Sequence, residues 1–243
     1  MAKEKDILMC NYDVLFNSTY KPSSLYKYFQ QIATEDLDAL GLNAKTMKER
    51  GIAFVLVRMK TVFKKPIFEY DLITIKTCHR RVKGASFIRD YLVYRNGELI
   101  GETSSYWALI DLNSRRLMRP SSLEGDFNHP VELCSFEIDE RFSFPEDLEC
   151  KTYEYNIVFN DIDENKHMNN TRYVDICLDA ISGIAEDEFV SEIRIDFLKE
   201  AKMDEKLLLK YAKGQSDNTF YFSSYNKSSQ QSCFDAKITF KKI

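Results

Sequence analysis

The stretch YNIVFN at Tyr155–Asn160 decides the predicted fold, because a similar stretch, YDVLFN, lies at Tyr12–Asn17. Both stretches have the pattern Y-x-x-x-F-N and the apolar residues of a strand, and both precede a run with helical spacing. This repeat predicts that the chain contains two similar halves, each with a strand that leads into a helix.

A long helix is predicted after each of these stretches. The first begins in the segment KPSS, where Pro22 and Ser23 are typical of a helix start, and Gly41 is typical of a helix stop. Its apolar residues follow a three- and four-residue spacing, at Leu25, Tyr28, Phe29, Ile32, Ala33 and Leu40. The second helix shows the same spacing, at Tyr173, Ile176, Cys177, Ala180, Ile181 and Ile184.

About four strand-like runs follow each helix. In the first half they are IAFVLVRMKTVF, YDLITIKTCHRRV, SFIRDYLVYR and LIGETSSYWALIDL. In the second half they are FVSEIRIDFLKE, KLLLKYAKG, TFYFSSYN and CFDAKITFKKI. One antiparallel sheet wrapped around one helix, made twice, accounts for this order. A single unit would expose a sheet edge and part of its apolar face, and pairing covers both.

The predicted fold class is therefore α+β, with two antiparallel sheets that each wrap around a long helix. We expect a first half at residues 1–112, a linker at residues 113–148 and a second half at residues 149–243. The linker has a weak pattern and contains three prolines, so we expect it to cross the surface. These prolines are Pro120, Pro130 and Pro145.

Composition excludes several classes of function. The net charge of -4 and the pI of about 5.6 argue against general nucleic-acid binding. No run of about 18 apolar residues occurs, so no membrane span is predicted. The N-terminal segment MAKEKDILMCNYDV has no long apolar region, so no signal peptide is predicted. The six cysteines are scattered without a C-x-x-C pair, which indicates free thiols and a cytoplasmic protein.

The polar stretch NDIDENKHMNN at Asn160–Asn170 is the strongest candidate for a functional site. It begins like a calcium-binding EF-hand loop, since Asp161, Asp163 and Asn165 match D-x-D-x-N. The sixth position of that loop needs glycine and the twelfth needs a bidentate glutamate, but Lys166 and Arg172 stand there. The cation at Arg172 argues against calcium.

Zinc and glycosylation are also poor explanations of this stretch. A zinc site needs three or four suitable ligands, and the three histidines of the chain have no ligand-like spacing. They are His79 in a strand-like run, His129 in the linker and His167. Asn169 and Thr171 match N-x-T, but without a secretory signal we regard that match as chance.

A polar turn with a helix cap is the simplest alternative, because Asn and Asp are common at helix starts. The corresponding first-half segment, FNSTYKPSSLYKY, has the same flanks without the Asp and His. In an extended segment Asp163, Asn165 and His167 would point to one side. A helix that starts near Met168 would add free N–H groups, which suit a developing oxyanion. These features favour a site.

The segment DENKHMNNTRY resembles the D-x-N-x-H-x-N-N-x-x-Y signature of acyl-acyl-carrier-protein (acyl-ACP) thioesterases, which are double hotdog-fold enzymes. The resemblance extends over most of the chain and implies a tandem hotdog fold. It assigns catalytic roles to Asp163, Asn165 and His167. It also implies a glutamate on a later strand, and FLKEAK supplies Glu200.

The resemblance also bears on cysteine chemistry. Some members of the family have a cysteine after the glutamate, but here Ala201 follows Glu200, so no thiol nucleophile is available there. Cys177 lies near the motif on the apolar stripe of the helix and is only a weak candidate. Water is therefore the expected nucleophile, and the resemblance implies neither a cofactor nor a metal.

The implied reaction is hydrolysis of a fatty acyl-ACP thioester, which releases a fatty acid and ends chain elongation. We expect Glu200 and His167 to position and deprotonate water, because histidine exchanges protons near neutral pH. Asn165 would hold water or the substrate oxygen, and Asp163 would orient Asn165 or His167. An acyl-CoA thioesterase and a non-catalytic acyl-thioester binding module are the alternative functions.

The implied substrate has two parts with different binding needs. The acyl chain is expected in an apolar pocket of the first half, with Phe29, Ile32, Phe54 and Met59 as candidates, although residues of this kind more often belong to an ordinary core. The acidic carrier protein with its phosphopantetheine arm needs local positive charge. The candidate patches are Lys64–Lys65, Arg80–Arg81 with Lys83, and Arg115–Arg119. The protein is expected to be a monomer with an internal pseudo-dimer or a homodimer.

Overall fold

The computed structural model describes residues 2–123, 134–138, 141–215 and 218–243. Ten strands lie within these ranges. Those of the first half are β1 (Lys3–Leu8), β2 (Ile52–Phe63), β3 (Leu72–Lys83), β4 (Ser86–Arg95) and β5 (Glu98–Asp111). Those of the second half are β6 (Lys151–Asn156), β7 (Glu188–Phe197), β8 (Lys206–Lys213), β9 (Thr219–Asn226) and β10 (Gln231–Lys242).

All ten strands belong to a single antiparallel sheet with the order β1-β3-β4-β5-β2-β7-β10-β9-β8-β6. Each half contributes five strands, and their order outward from the β2–β7 pair is the same in both halves: β2-β5-β4-β3-β1 and β7-β10-β9-β8-β6. The two expected sheets are thus continuous, because β2 and β7 pair from Arg58↔Asp196 to Val62↔Glu192. This junction covers the exposed edge that either half would have alone.

Three α-helices lie in the described ranges: α1 (Pro22–Ala39), α2 (Ala44–Glu49) and α3 (Arg172–Ala180). Helix α1 begins at the predicted proline and ends before Gly41, which has a φ of 74° that favours glycine. Helix α3 is half as long, with 9 residues against 18. None of these helices combines the length and the apolarity that crossing a membrane requires.

The sequence repeat is real, but its predicted register is wrong. YDVLFN lies outside the strands, because β1 ends upstream of it at Leu8. Only the first two residues of YNIVFN belong to a strand, because β6 ends at Asn156. Backbone hydrogen bonds give the true correspondence: Lys21 N donates to Asp13 O at 2.7 Å, and Asn169 N donates to Asp161 O at 2.8 Å. Asp13 therefore corresponds to Asp161, five positions away from the register of the Y-x-x-x-F-N match.

The helices and the linker cover opposite faces of the sheet. Phe29 of α1 stacks on Tyr91 of β4 with ring centroids 4.6 Å apart. Side chains alternate along a strand, so the neighbouring Asp90 faces the other side, where it accepts a hydrogen bond from Cys134 N of the linker. The linker thus crosses the sheet surface where it is described. Pro130 and His129 lie outside the described residues.

Candidate active site

A buried carboxylate anchors the loop that carries the predicted catalytic residues. Asp161 is 1% exposed and accepts hydrogen bonds from Val158 N at 2.9 Å, from the Tyr155 hydroxyl at 2.8 Å and from Arg172 Nε at 2.9 Å. Burial lowers the pKa of the Arg172 guanidinium, but its contacts with Asp161, Tyr155 and Asp175 outweigh that effect and raise the pKa above its ordinary value. The start of α3 and the end of β6 are therefore fastened to the base of the loop.

The loop itself is a tight turn and not the extended segment that was predicted. Asp163 N donates to His167 O at 2.9 Å, and Lys166 N donates to Asp163 O at 3.0 Å. Lys166 has a φ of 64°, a left-handed conformation that reverses the chain here. Asp163 Oδ1 accepts from Asn165 N at 2.8 Å, as in an Asx turn. Asp163 thus shapes the loop through backbone amides.

The turn places His167 against Glu200, more than thirty residues away in sequence. His167 Nε2 lies 2.7 Å from Glu200 Oε2. Both side chains are partly exposed, with 22% and 34% of their surface accessible. Met168 N donates to Ala201 O at 2.8 Å, which holds the two segments side by side. The structure therefore brings together the histidine and the glutamate that the resemblance assigned.

A second partner of Glu200 was missed by the sequence analysis. The guanidinium of Arg115 donates to Glu200 Oε1, so the carboxylate lies between an arginine and a histidine. Arg115 follows β5 in a turn closed by its N–H to Asp111 O, and its φ of 57° is left-handed. The sequence analysis assigned Arg115 to a docking patch because it belongs to the arginine-rich run RRLMR. No other sequence feature indicated a contact with Glu200.

The first half has lost the corresponding groups. The shared register pairs Asp163 with Leu15, Asn165 with Asn17 and His167 with Thr19, and the turn residue Ser18 keeps the left-handed φ of Lys166. Glu200 corresponds to Pro66, since Tyr20 N donates to Ile67 O just as Met168 N donates to Ala201 O. Of the four candidate catalytic residues, only the asparagine has an identical counterpart in the first half, and Asn17 Nδ2 donates to Glu188 O of β7 at 2.7 Å.

The helix start and Cys177 differ from expectation. Helix α3 begins at Arg172 and not near Met168, because Thr171 N donates to the Asn169 side chain at 2.9 Å in a preceding turn. Cys177 is fully buried, and burial raises the pKa of its thiol well above the ordinary value. A thiol in this setting stays protonated and has no access to a substrate.

A cavity of about 460 Å³ lies beside the loop, between α1 and the sheet of the first half. Asp163, Glu164 and Asn165 form part of its wall. Its other lining residues come from α1, from the strands and from the segment before α3: Gln30, Ala33, Thr34, Leu37, Phe54, His79, Phe87, Arg89, Trp107, Asn169 and Asn170. The cavity is thus shared by the two halves.

The predicted acyl-pocket residues divide between this cavity and the core. Phe54 lines the cavity and packs edge-on against Phe87, with ring centroids 5.0 Å apart. Phe29, Ile32 and Met59 are at most 6% exposed and pack in the main hydrophobic core. They do not line the cavity as the described residues form it, because the core beneath it is filled by pairs such as Phe29 and Tyr91.

The predicted docking patches are largely neutralised by carboxylates of the chain itself. Lys64 lies 3.3 Å from Glu102, and Lys65 lies 2.7 Å from Glu98. The second patch pairs with the linker and the sheet: Lys83 and Arg81 contact Glu137, and Arg80 lies 3.4 Å from Asp90. In the third patch Arg115 contacts Glu200, while Arg116 and Arg119 are exposed.

The described residues form two hotdog units, and the second unit carries an Asp-x-Asn-x-His loop with a glutamate beside it. These features define a class of tandem hotdog proteins. The acyl-ACP thioesterase N-terminal domain family matches residues 3–123, and the acyl-ACP thioesterase C-terminal domain family matches residues 146–242. The chain therefore belongs to the acyl-ACP thioesterase family.

Relatives and solved structures agree with this membership. The chain is 24% identical over 227 residues to oleoyl-acyl carrier protein thioesterase 2, chloroplastic, of Arabidopsis thaliana, a match that covers 84% of this chain and 60% of the relative. It is 29% identical over 172 residues to dodecanoyl-[acyl-carrier-protein] hydrolase, chloroplastic, of Cinnamomum camphora, with 66% and 44% covered. The matched part of the chain thus spans 60% of the length of the first relative and 44% of the length of the second.

Two solved structures share the fold along their whole length. An acyl-ACP thioesterase from Bacteroides thetaiotaomicron superposes with a TM-score of 0.86 at 19% identity, covering 99% of this chain and 98% of the other. A 12:0-ACP thioesterase from Umbellularia californica gives a TM-score of 0.78 at 14% identity, covering 100% and 98%. These similarities confirm the α+β double hotdog fold that the sequence predicted.

Proposed function

We infer that this protein hydrolyses the thioester of a fatty acyl-ACP and releases the free fatty acid. The observation that carries the proposal is the 2.7 Å contact between His167 and Glu200, beside a cavity with aromatic walls. Family membership supports the same reaction. A module that only binds acyl thioesters has no need of a paired acid and base, so the site favours an enzyme over a sensor.

In the proposed mechanism water is the nucleophile. A water molecule beside Glu200 and His167 would lose its proton to this pair as its oxygen attacks the thioester carbonyl. The C–S bond would then break, and the pair would return the proton to the leaving thiolate, which gives a free thiol and a fatty acid. The side-chain amide of Asn165 faces the cavity and makes no hydrogen bond with any residue in the described ranges, so it is available to the substrate oxygen. Asp163 acts indirectly, because it holds the turn that presents Asn165 and His167.

The proposed partner is an acidic acyl carrier protein, and the rim of the site offers positive charge. Lys166 adjoins His167, and Lys199 and Lys202 lie on either side of Glu200. These lysines, with Arg116 and Arg119, are exposed and pair with no carboxylate in the part of the chain that the structure describes. The rim therefore favours a negatively charged carrier, even though the whole chain carries a charge of -4.

The test is a paired hydrolysis assay with an acyl-ACP and an acyl-CoA that carry the same chain, with the released acid identified. We expect a higher kcat/KM for acyl-ACP. His167→Ala and Glu200→Ala should each lower kcat by roughly 10²–10⁴-fold, the usual contribution of a general acid–base group. Both variants should keep the unfolding midpoint of the parent, because both side chains are partly exposed.

Three results would change the assignment. Full activity in Glu200→Ala would remove Glu200 from the mechanism. A higher kcat/KM for acyl-CoA would make the protein an acyl-CoA thioesterase. Tight binding of acyl-ACP without turnover would make it a binding module. The cytoplasmic location stays a prediction that localisation of the expressed protein would test.

A further inference from the structure

The cavity beside the catalytic loop has an open end and a buried end. Glu164, Asn165 and Thr34 are exposed and mark its mouth next to the proposed site. The polar residues His79 and Arg89 are buried, with at most 5% of their surface accessible, and mark its inner end. An acyl chain whose thioester lies at the loop would therefore extend from the mouth toward these buried residues.

Arg89 is an unusual residue to find at the inner end of an acyl pocket. It is only 5% exposed, and its Nη2 lies 2.8 Å from Asp36 Oδ2 of α1. Its Nη1 donates to Thr77 Oγ1 at 3.2 Å. The guanidinium thus bridges β4, β3 and α1 across the gap in which the chain would lie. Removing Asp36 alone would be costly, because the buried guanidinium would lose its anionic partner, whereas Asp36 itself is 14% exposed.

The walls before this pair are aromatic. Phe54, Phe87 and Trp107 line the cavity, and they suit a methylene chain. An acyl chain that continued past these rings would meet the Arg89 guanidinium and the His79 ring. Methylene groups there would contact polar groups and would displace their hydration without any apolar contact in return. The polar inner end is therefore unfavourable to each further methylene.

We propose that the Arg89–Asp36 pair is the inner stop of the acyl pocket and limits the substrate to chains that end at the aromatic walls. The inference rests on the proposed function, since it takes the cavity to hold the acyl chain. It assigns chain-length selection to an ion pair between α1 and β4, in which the arginine is buried and the aspartate is partly exposed. The pair acts by position and charge, and it has no part in the bond-breaking step.

The experiment replaces both charges together, Arg89→Leu with Asp36→Leu. Replacing a buried ion pair by apolar residues is often neutral for stability, whereas removing one partner is strongly destabilising. Leucine is shorter than arginine, so the pocket becomes both longer and apolar. With a series of saturated acyl-ACPs of increasing length, we expect the ratio of kcat/KM for long over short chains to rise by about tenfold or more.

A matched control uses another Arg–Asp pair on the same strand. Arg95 of β4 lies 2.5 Å from Asp71, is about a fifth exposed and does not line the cavity. Arg95→Leu with Asp71→Leu should leave the chain-length ratio unchanged. The volume-preserving double variant Arg89→Met with Asp36→Leu serves if the first variant does not fold, and it should shift the ratio in the same direction.

The possible failures can be told apart. If the parent protein hydrolyses no acyl-ACP, the proposed function fails. The length of chain that the pocket accepts can then still be compared between parent and variant, by the rise in unfolding midpoint that each free saturated fatty acid produces. If the parent is active and the folded variants keep its chain-length ratio, the stop is not at Arg89. A uniform loss of activity at every length would also overturn the proposal, because it would assign the pair to catalysis or folding.

Discussion

At the scale of single residues, the contact between Arg115 and Glu200 links the two halves at the site. Arg115 follows the last strand of the first half, and Glu200 follows β7 of the second half. The charge-assisted hydrogen bond orients one carboxylate oxygen and leaves the other to His167. Arg115 is therefore a positioning residue, which acts on the reaction through Glu200.

Arg115→Ala should lower kcat by about ten- to a hundredfold with little change in KM, which is the effect of losing a hydrogen bond to a charged group. Guanidinium ions added at low concentration should restore part of the rate, and Arg115→Lys should keep part of it. A purely structural role for Arg115 would show no rescue by guanidinium. Arg50→Ala is the control, because Arg50 is exposed and lies at the end of α2.

At the scale of elements, buried carboxylates hold the linker to the sheet. Strands β4, β5 and β7 each carry one such carboxylate, and each carboxylate accepts a hydrogen bond from a backbone N–H of the linker. The pairs are Asp90 with Cys134 N at 3.1 Å, Glu102 with Ser135 N at 2.7 Å and Asp196 with Phe142 N at 3.1 Å. These carboxylates are at most 2% exposed. The linker thus adds backbone N–H donors to buried carboxylates that Arg80, Lys64 and Arg194 already contact.

Glu102→Leu should lower the free energy of unfolding by about 1–3 kcal/mol, because Ser135 loses an acceptor for both its N–H and its hydroxyl. Glu98→Leu on the same strand removes only the exposed pair with Lys65 and should change stability by less than about 1 kcal/mol. Urea denaturation compares the two. Equal losses of stability would show that the linker contacts contribute nothing beyond a surface ion pair.

At the scale of the whole molecule, the continuous sheet joins the two halves, so we expect them to unfold as one unit. The main hydrophobic core includes residues of both halves, and Tyr20 of the first half donates its hydroxyl to Val190 O of β7 at 2.8 Å. At the junction the edge strand of each half, β2 or β7, is hydrogen-bonded to the edge strand of the other half. Unfolding of one half would expose a sheet edge and core surface of the other.

The single tryptophan, Trp107, tests this coupling because it lies in the first half. Its fluorescence and the far-UV circular dichroism should change at the same denaturant midpoint. Phe222→Ala in β9 removes a fully buried ring of the second half and should cost about 3–5 kcal/mol. We expect the Trp107 midpoint to fall with it. An unchanged Trp107 midpoint would mean that the halves unfold separately.

Much of the fold was predictable because periodicity is local. The runs at residues 52–63, 86–95 and 219–226 match β2, β4 and β9 residue for residue, and α1 begins at Pro22 as its capping pattern indicates. The first strand of each half was misplaced, since an apolar turn beside a helix has the same composition as a strand. That error also shifted the register of the repeat.

The sequence by itself determined the alternation of strands and helices, the two halves and the motif residues Asp163, Asn165 and His167, because these depend on neighbours in the chain. Only the tertiary structure decided that β2 and β7 join the halves, that Glu200 lies between His167 and Arg115, and that Arg89 of the cavity wall pairs with Asp36. Those contacts connect residues far apart in sequence, so they depend on how the sheet and helices pack, which local patterns do not encode.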